Sequence, residues 1–316
     1  MNKSNMTRTE MLKKRMGQLA KLHDTGEGRP LEELMKSKEV LRGQESLRLR
    51  RFCTSNCMEP QRDLDTLGKL LLTGNQDAVF LDYTARLAEK SKTMELEAAI
   101  EAVAQEYASM RWGPTEAPIF NLLGLFMQIV PSRRTNYLGF SEFLIGTRVP
   151  VDGKDLSGTA ALSHTFSTKP SFDLEYAQML YDAGGDVNTR NRYGATVAHE
   201  IVQVYDPSDP EVVRKSTKAL EWFLSHGGSL DIADGDGMTP RFMCERMGSV
   251  LIGLKRLVEK EDERRRQNGD LTCSLCGRDE GKLLSCGRCK KAKYCDPGSR
   301  ACQKLDWPRH KKGCKA

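Results

Sequence analysis

Residues 273–314 read CSLCGRDEGKLLSCGRCKKAKYCDPGSRACQKLDWPRHKKGC and carry seven of the ten cysteines of the chain. Their potential metal ligands are Cys273, Cys276, Cys286, Cys289, Cys295, Cys302, His310 and Cys314. Thiolates and imidazoles bind zinc in structural sites, four ligands to each ion. The eight ligands therefore predict two complete zinc sites that leave no open position for water, so we expect the ions to build structure and predict no catalytic residue.

The full order of these ligands is Cys-x2-Cys-x9-Cys-x2-Cys-x5-Cys-x6-Cys-x7-His-x3-Cys, and Gln303, Asp306 and Trp307 lie in its closing part. This segment resembles the MYND zinc finger. The resemblance implies a crossed arrangement, with one zinc on Cys273, Cys276, Cys295 and Cys302 and the other on Cys286, Cys289, His310 and Cys314. The six residues before Cys302 are more than the family usually has there, and Asp296 is the alternative ligand.

The same resemblance implies a role. MYND fingers generally bind short proline-containing peptides on partner proteins. Carried onto this sequence, the peptide groove is expected around Tyr294, Gln303 and Trp307. The alternative for Trp307 is that its ring fills the small core of the finger.

The chain upstream of the finger has the apolar spacing of helices. Leucines at 64, 67, 70 and 71 fit one helix face, and Gly74-Asn75 ends that run. Further helices are predicted over residues 78–89, 94–110 and 118–130, with a break at Trp112-Gly-Pro114. No alternation long enough for a sheet occurs in this region, so the fold is predicted to be mainly α.

A glycine-containing turn then recurs at Gly158, Gly194 and Gly237, at intervals of 36 and 43 residues. Thr159, Thr196 or Thr239 follows each turn and can cap a helix. This pattern resembles the ankyrin repeat in degenerate form, and it implies a helical repeat solenoid. In that repeat the histidine at the position of His199 bonds neighbouring backbone, so we interpret His199 and His164 as structural rather than catalytic.

These features divide the chain into four regions. The arm includes an expected helix over 31–41, and its Cys53 and Cys57 are expected to be ordinary thiols rather than metal ligands. The regions are a flexible basic N-terminal arm at 1–58, a helical cap or degenerate repeats at 59–145, ankyrin-like repeats with an exit helix at 146–267, and a MYND finger at 271–316.

Composition constrains the setting. No apolar run approaches the roughly 18 residues that span a bilayer, and no secretory signal is apparent. The basic residues 3–21 could suggest a mitochondrial presequence, but Glu10 and a weak apolar face argue against one. Cysteines in a reducing compartment bind metal rather than form disulfides, and we expect the protein in the cytoplasm, the nucleus or both.

The pattern therefore predicts a non-enzymatic adaptor that binds partner proteins through the repeats and through a finger with two structural zinc ions. One alternative is a nucleic-acid-associated regulator, because the finger is basic and the net charge is +6. It is disfavoured because a recognition helix and interleaved aromatic residues are missing. A SET-type lysine methyltransferase is also disfavoured, because the chain has no Asn-His dipeptide and no β-rich region.

Overall fold

The computed structural model describes residues 24–56, 58–167, 172–204, 206–247, 251–279, 282–295 and 301–315. The fold is mainly helical and ends in a small zinc-binding finger. Cys57 and Asp296 lie outside the described residues. The helices are α1 Leu31–Lys36, α2 Gly43–Ser55, α3 Pro60–Asp63, α4 Thr66–Thr73, α5 Gln76–Lys90, α6 Leu96–Ser109, α7 Ile119–Ile129, α8 Arg134–Gly146, α9 Ala161–Ser167, α10 Leu174–Asp182, α11 Val197–Val202, α12 Pro210–Ser225, α13 Pro240–Met247, α14 Ile252–Asn268 and α15 Ala301–His310. The strands are β1 Leu283–Ser285 and β2 Lys293–Cys295.

Helices α4–α8 form the N-terminal half of the array, and their ends follow the sequence signals. Asp65 caps α4 by accepting a hydrogen bond from the N–H of Gly68, and Gly74 ends that helix in the left-handed conformation. Asn75 then caps α5 through the N–H of Ala78. The helix end at Gly74 agrees with the sequence prediction, and the cap at Asn75 lets α5 begin directly after it.

Three turns of equal design precede α9, α11 and α13. In each turn an Asp or Asn side chain accepts a hydrogen bond from the N–H four residues later, at 2.9 Å for Asp155, 3.0 Å for Asn191 and 2.9 Å for Asp234. The turn glycines, which include Gly158 and Gly194, have φ of 76°, 74° and 86°, a region that disfavours residues with a Cβ. The glycine recurrence in the sequence thus corresponds to three equivalent turns.

The turns stack on one another through backbone hydrogen bonds. Arg192 N–H donates to Ser157 O at 2.8 Å, and Gly235 N–H donates to Tyr193 O at 2.8 Å. The same connection continues upstream, where Leu156 N–H donates to Thr115 O at 2.8 Å. The turn before α7 therefore joins the stack, and α7–α8 belongs to the same array as the later helix pairs.

One apolar core runs through this array from Leu64 to Val258. The finger and the N-terminal segment each have a separate buried cluster. The sequence predicts a flexible arm over 1–58, but the structure differs over 24–56, where α1 and α2 pack on the turns of the array and bury Leu34, Leu41 and Leu49. Among the described residues, no helix is both long enough and apolar enough to span a membrane.

Candidate metal centre

Two tight turns bring the CxxC cysteines of the finger together. The N–H of Gly277 donates to Cys273 O at 2.9 Å, and the N–H of Lys290 donates to Cys286 O at 3.0 Å. Gly277 and Lys290 both have left-handed backbone, with φ of 72° and 59°. Each turn places the two thiols of its pair on one side, as a tetrahedral ion requires.

A short hairpin and one helix supply the remaining ligands. Strands β1 and β2 pair antiparallel, with Leu284 opposite Tyr294. Strand β2 ends at Cys295, and α15 carries Cys302 and His310 before the chain reaches Cys314. Helix α15 therefore contributes ligands to both clusters.

The ligand atoms form two groups of four, and within each group all of them lie within 4.8 Å of one another. The first group is Cys273, Cys276, Cys295 and Cys302, and the second is Cys286, Cys289, His310 and Cys314. Both groups match the crossed arrangement that the family resemblance implies, and Cys302 lies in the first group despite the longer gap before it.

Distances within the groups fit bound zinc rather than disulfides. Sγ of Cys286 lies 3.9 Å from Sγ of Cys314, and Sγ of Cys289 lies 3.5 Å from Nε2 of His310. Zn–S bonds of about 2.3 Å at the tetrahedral angle place two thiolates about 3.8 Å apart. The 3.3 Å between the sulfur atoms of Cys276 and Cys295 is far longer than a disulfide bond of about 2.05 Å. The two clusters fit two zinc ions.

The electrostatics of the thiols also favour a cation. Hydrogen bonds from the backbone N–H groups of Cys289 and Arg288 lower the pKa of Cys286 to about 6, because they stabilise the thiolate. In the first group the Cys273 thiolate raises the pKa of Cys302, because that thiol donates a hydrogen bond to it and a further negative charge would be repelled. A divalent ion removes this conflict, so the donor set is suited to zinc.

Beneath the ligands, a buried polar pair supports the finger. The hydroxyl of Tyr294 donates to Asp306 at 2.7 Å, and Arg309 Nε donates to the other oxygen of that carboxylate at 2.6 Å. Arg309 also donates to Ser274 O at 2.9 Å, next to the first ligand. The pair thus ties α15 to β2 and to the first turn.

The three residues predicted for peptide contact differ in how much of each side chain is exposed to solvent. Tyr294 is buried, Gln303 is half-buried and Trp307 is 41% exposed. The ring of Trp307 lies 6.1 Å from that of His310, and the ring of Tyr294 lies on a second side of the imidazole at the same distance. Trp307 is therefore a surface residue beside a predicted zinc ligand.

The surface of the finger is cationic. Within the described residues 282–295 and 301–315 the acidic residue is Asp306, and it is buried. The exposed cations of these two stretches are Lys282, Arg288, Lys290, Lys291, Lys304, Arg309, Lys311, Lys312 and Lys315.

The finger packs directly on the array. Ile232, in the third turn of the array, is 3% exposed and belongs to the apolar cluster of the finger. The exit helix α14 buries Glu261, which pairs with Arg264 and Arg265 at 2.8 and 2.7 Å. Those two arginines donate to the carbonyl groups of Gly277 and Leu275 in the finger, at 2.6 and 3.1 Å. The sequence contained no local signal for this contact.

His199 is structural, as predicted. Its Nδ1 accepts a hydrogen bond from the N–H of Thr196 at 3.0 Å, and its Nε2 lies 3.1 Å from Met238 O in the next turn. Burial lowers the pKa of His199, so the neutral ring is the stable form. Nε2 of His164, on α9, lies 2.7 Å from the carboxylate of Asp155 in the first turn.

Comparison with known proteins identifies the finger. Residues 273–314 match the family model of the MYND finger. The SET domain and MYND-type zinc finger protein 6 of Schizosaccharomyces pombe is 49% identical over 45 residues, which cover 14% of this chain and 9% of that protein. N-lysine methyltransferase SMYD2-B of Danio rerio is 46% identical over 46 residues, 15% of this chain and 10% of that protein, and the match lies in the finger region.

A third relative is the potassium channel AKT1 of Oryza sativa subsp. indica, 34% identical over 92 residues, which cover 29% of this chain and 9% of the channel. The chain thus spans about a tenth of the length of each curated relative. The likeness establishes a C-terminal MYND zinc finger, a domain that mediates protein–protein interaction.

Proposed function

We propose that this chain is a non-enzymatic adaptor that binds one partner through its MYND finger and another through an ankyrin-like repeat array. The observation that supports it best is the pair of complete ligand groups beneath an exposed Trp307. Four protein ligands at each ion leave no open position for substrate or water, so the metal organises a surface instead of reacting. The two relatives named for SET domains and lysine methylation match this chain in the finger, so their chemistry is no guide to the rest of the chain.

The proposed ligand of the finger is a short proline-containing peptide. Trp307 offers an exposed aromatic face on which a proline ring can pack, and the half-buried Gln303 offers an amide for the peptide backbone. Tyr294 is buried and supports this surface indirectly, because its hydrogen bond to Asp306 fixes α15, the helix that carries Trp307 and Gln303. The cationic surface favours a peptide with acidic flanks.

The array contributes a second surface in this proposal. The array has repeated turns, a capped helix after a turn, and backbone hydrogen bonds that connect one turn to the next. These features support an ankyrin-like arrangement. Nine of the ten cysteines are described, and none of these nine forms a disulfide, which suits a reducing compartment such as the cytoplasm or nucleus.

The test is affinity capture with the full chain, compared with Trp307→Ala and Cys286→Ser. The matched control is Phe242→Ala, because Phe242 is an aromatic residue that is 40% exposed and lies on α13, outside the finger sequence. Proteins captured by the wild type and by Phe242→Ala, but lost with both finger variants, support the proposal. An identical set of captured proteins for all four chains contradicts it.

A direct binding assay separates the peptide from nucleic acid. Proline-containing peptides recovered from the capture should bind the full chain and lose affinity with Trp307→Ala. Binding of generic DNA that is tighter than peptide binding, and that falls steeply with added salt, would favour the nucleic-acid alternative instead.

A further inference from the structure

The N-terminal segment, residues 24–56, occupies the turn face of the array. Leu41 N–H donates to Arg192 O at 2.6 Å, and Gly43 N–H donates to the Asp236 carboxylate at 3.1 Å. The guanidinium of Arg50 lies 4.2 Å from the ring centre of Tyr193. These contacts cross two successive turns, so the segment covers a surface that the array would otherwise present to solvent.

The segment is a unit of its own. Its leucines pack with Leu156 and Tyr193 in a cluster that is separate from the core of the array and from the core of the finger. Two of its arginines pair within the segment, Arg29 with Glu45 at 2.7 Å and Arg48 with Asp24 at 2.6 Å. Its removal would therefore leave the main core of the array intact.

The fit beneath the segment is incomplete in one respect. Arg192 is 6% exposed, yet its guanidinium pairs with no carboxylate among the described residues. It donates to Leu156 O at 3.1 Å, Leu34 O at 2.5 Å and Ser37 Oγ at 2.7 Å, and its Nε is buried with no partner. A buried guanidinium is costly without an anion, so this position would be better satisfied by a carboxylate.

A gap also remains beside the segment. A cavity of about 390 Å³ lies between Arg50 and Cys53 on α2 and the array residues Asp155, Tyr193 and Glu200. The segment thus covers this face without filling it. A larger ligand on this face would find space in the cavity, and beneath the segment it would find Arg192, which does not line the cavity, without a carboxylate partner in the described part of the chain.

We infer that residues 24–56 are a displaceable internal ligand, and that the face they cover docks a leucine-bearing helical segment of a partner with a carboxylate aimed at Arg192. The chemistry of the partner follows from the occupant. Leu34, Leu41 and Leu49 show which side chains the face accepts, and Arg192 shows which charge it lacks. This inference rests on the proposed role of the array as a binding surface.

A labelled synthetic peptide of residues 29–56 tests it by fluorescence anisotropy. The full chain is compared with Leu34→Asp/Leu49→Asp, which should release the segment. The matched control is Glu32→Gln/Glu33→Gln, which changes two exposed residues of α1, the helix that carries Leu34. When the internal segment occupies the site, the apparent affinity for the added peptide falls in proportion to the fraction of chains whose site is open. The release variant should therefore bind the peptide at least about tenfold tighter than the other two chains. Equal affinity for all three chains, or no binding to any, overturns the inference.

A second peptide examines the charge. The Ser37→Glu peptide should bind the release variant about fivefold tighter than the wild-type peptide, because its carboxylate reaches Arg192. Adding Arg192→Met to the release variant should remove that advantage. If the advantage is absent from the start, or survives Arg192→Met, the partner chemistry assigned here is wrong.

Two measurements guard against misfolding and against confusion with the finger. Hydrogen exchange on the wild-type chain with excess isotope-labelled peptide should show lost protection in α1 and α2 only, and unchanged protection contradicts displacement.

Gly235→Ala is a second release variant, because an added Cβ would overlap the Leu41 carbonyl oxygen. Capture that depends on Trp307 should persist in every release variant. Loss of that capture would count against the proposed function of the finger. Failure of the peptide assay would count against the internal ligand.

Discussion

The hydroxyl of Tyr294 on β2 lies 2.7 Å from the carboxylate of Asp306 on α15, and both side chains are buried. This bond connects the strand that ends at Cys295 with the helix that carries Cys302 and His310. This hydrogen bond, between two side chains that bind no metal, therefore helps to fix elements that carry ligands of both groups.

Tyr294→Phe should weaken the finger. The substitution keeps the ring but leaves Asp306 with only Arg309, and an under-satisfied buried polar group costs about 1–3 kcal/mol. We expect zinc to transfer faster to a chromogenic chelator. Tyr137→Phe is the control, because it removes a bond of the same length, 2.7 Å to Leu72 O, in the array. Equal release rates for the two variants would contradict this role for Tyr294.

Chelation of zinc should unfold the finger and spare the array. Zinc contributes about 10–16 kcal/mol at a structural site, whereas the finger has only a small apolar cluster. Trp307 lies 6.1 Å from the His310 ring, so its fluorescence should change as metal leaves, while most far-UV helical signal stays. Metal analysis should find two zinc ions per chain. A Trp307 signal that is unchanged after complete removal would show that the assignment is wrong.

Asn188→Ala should loosen the contact between two neighbouring segments of the array. The amide of Asn188 donates to Gly227 O and accepts from the N–H of Ser229, each at 2.8 Å, and Ser229 is fully buried. Loss of both bonds leaves two buried backbone groups unpaired, so we expect a loss of about 2–3 kcal/mol in the free energy of unfolding by urea. Asn136→Ala, which removes one bond to Gly74 O, should cost less. A larger loss for Asn136→Ala would contradict this account of stacking.

His199→Gln should remove part of the pH dependence of stability. The folded pKa of His199 lies below 6.5 because of burial, so the unfolded chain binds the proton more readily. The contribution of the neutral ring is complete above about pH 6.5 and is lost as the pH falls through the folded pKa. Urea unfolding from pH 8 to 5 should show the wild type losing more stability than His199→Gln. Parallel curves would mean that His199 does not titrate on unfolding.

The sequence predicted features that depend on local chemistry. The zinc ligands, the helix end at Gly74 and the glycine turns each involve residues close together in the chain, so their spacing already contains the geometry. The division of the eight ligands into two groups came from the family resemblance, because spacing alone does not determine which ligands share a zinc ion with each cysteine pair.

Contacts between distant segments could not be read in this way. The bond from Arg192 to Leu34 O joins residues 158 positions apart, and Ile232 enters the finger core from the third turn. Leu34, Leu41 and Leu49 looked like the sparse apolar residues of an arm, because the surface that buries them is made by turns much later in the chain. Only the folded array reveals that partner surface.

The packing of Ile232 against the finger has a consequence for solubility. A stack of repeats exposes apolar surface at its last member unless a polar element closes that end. In the proposed repeat array, the lysine-rich finger, bound to α14 through Arg264 and Arg265, would be the element that closes that end. Loss of zinc, or truncation near residue 270, should therefore produce a chain that keeps its helices yet self-associates, so that metal supply governs the colloidal behaviour of the protein as well as its recognition surface.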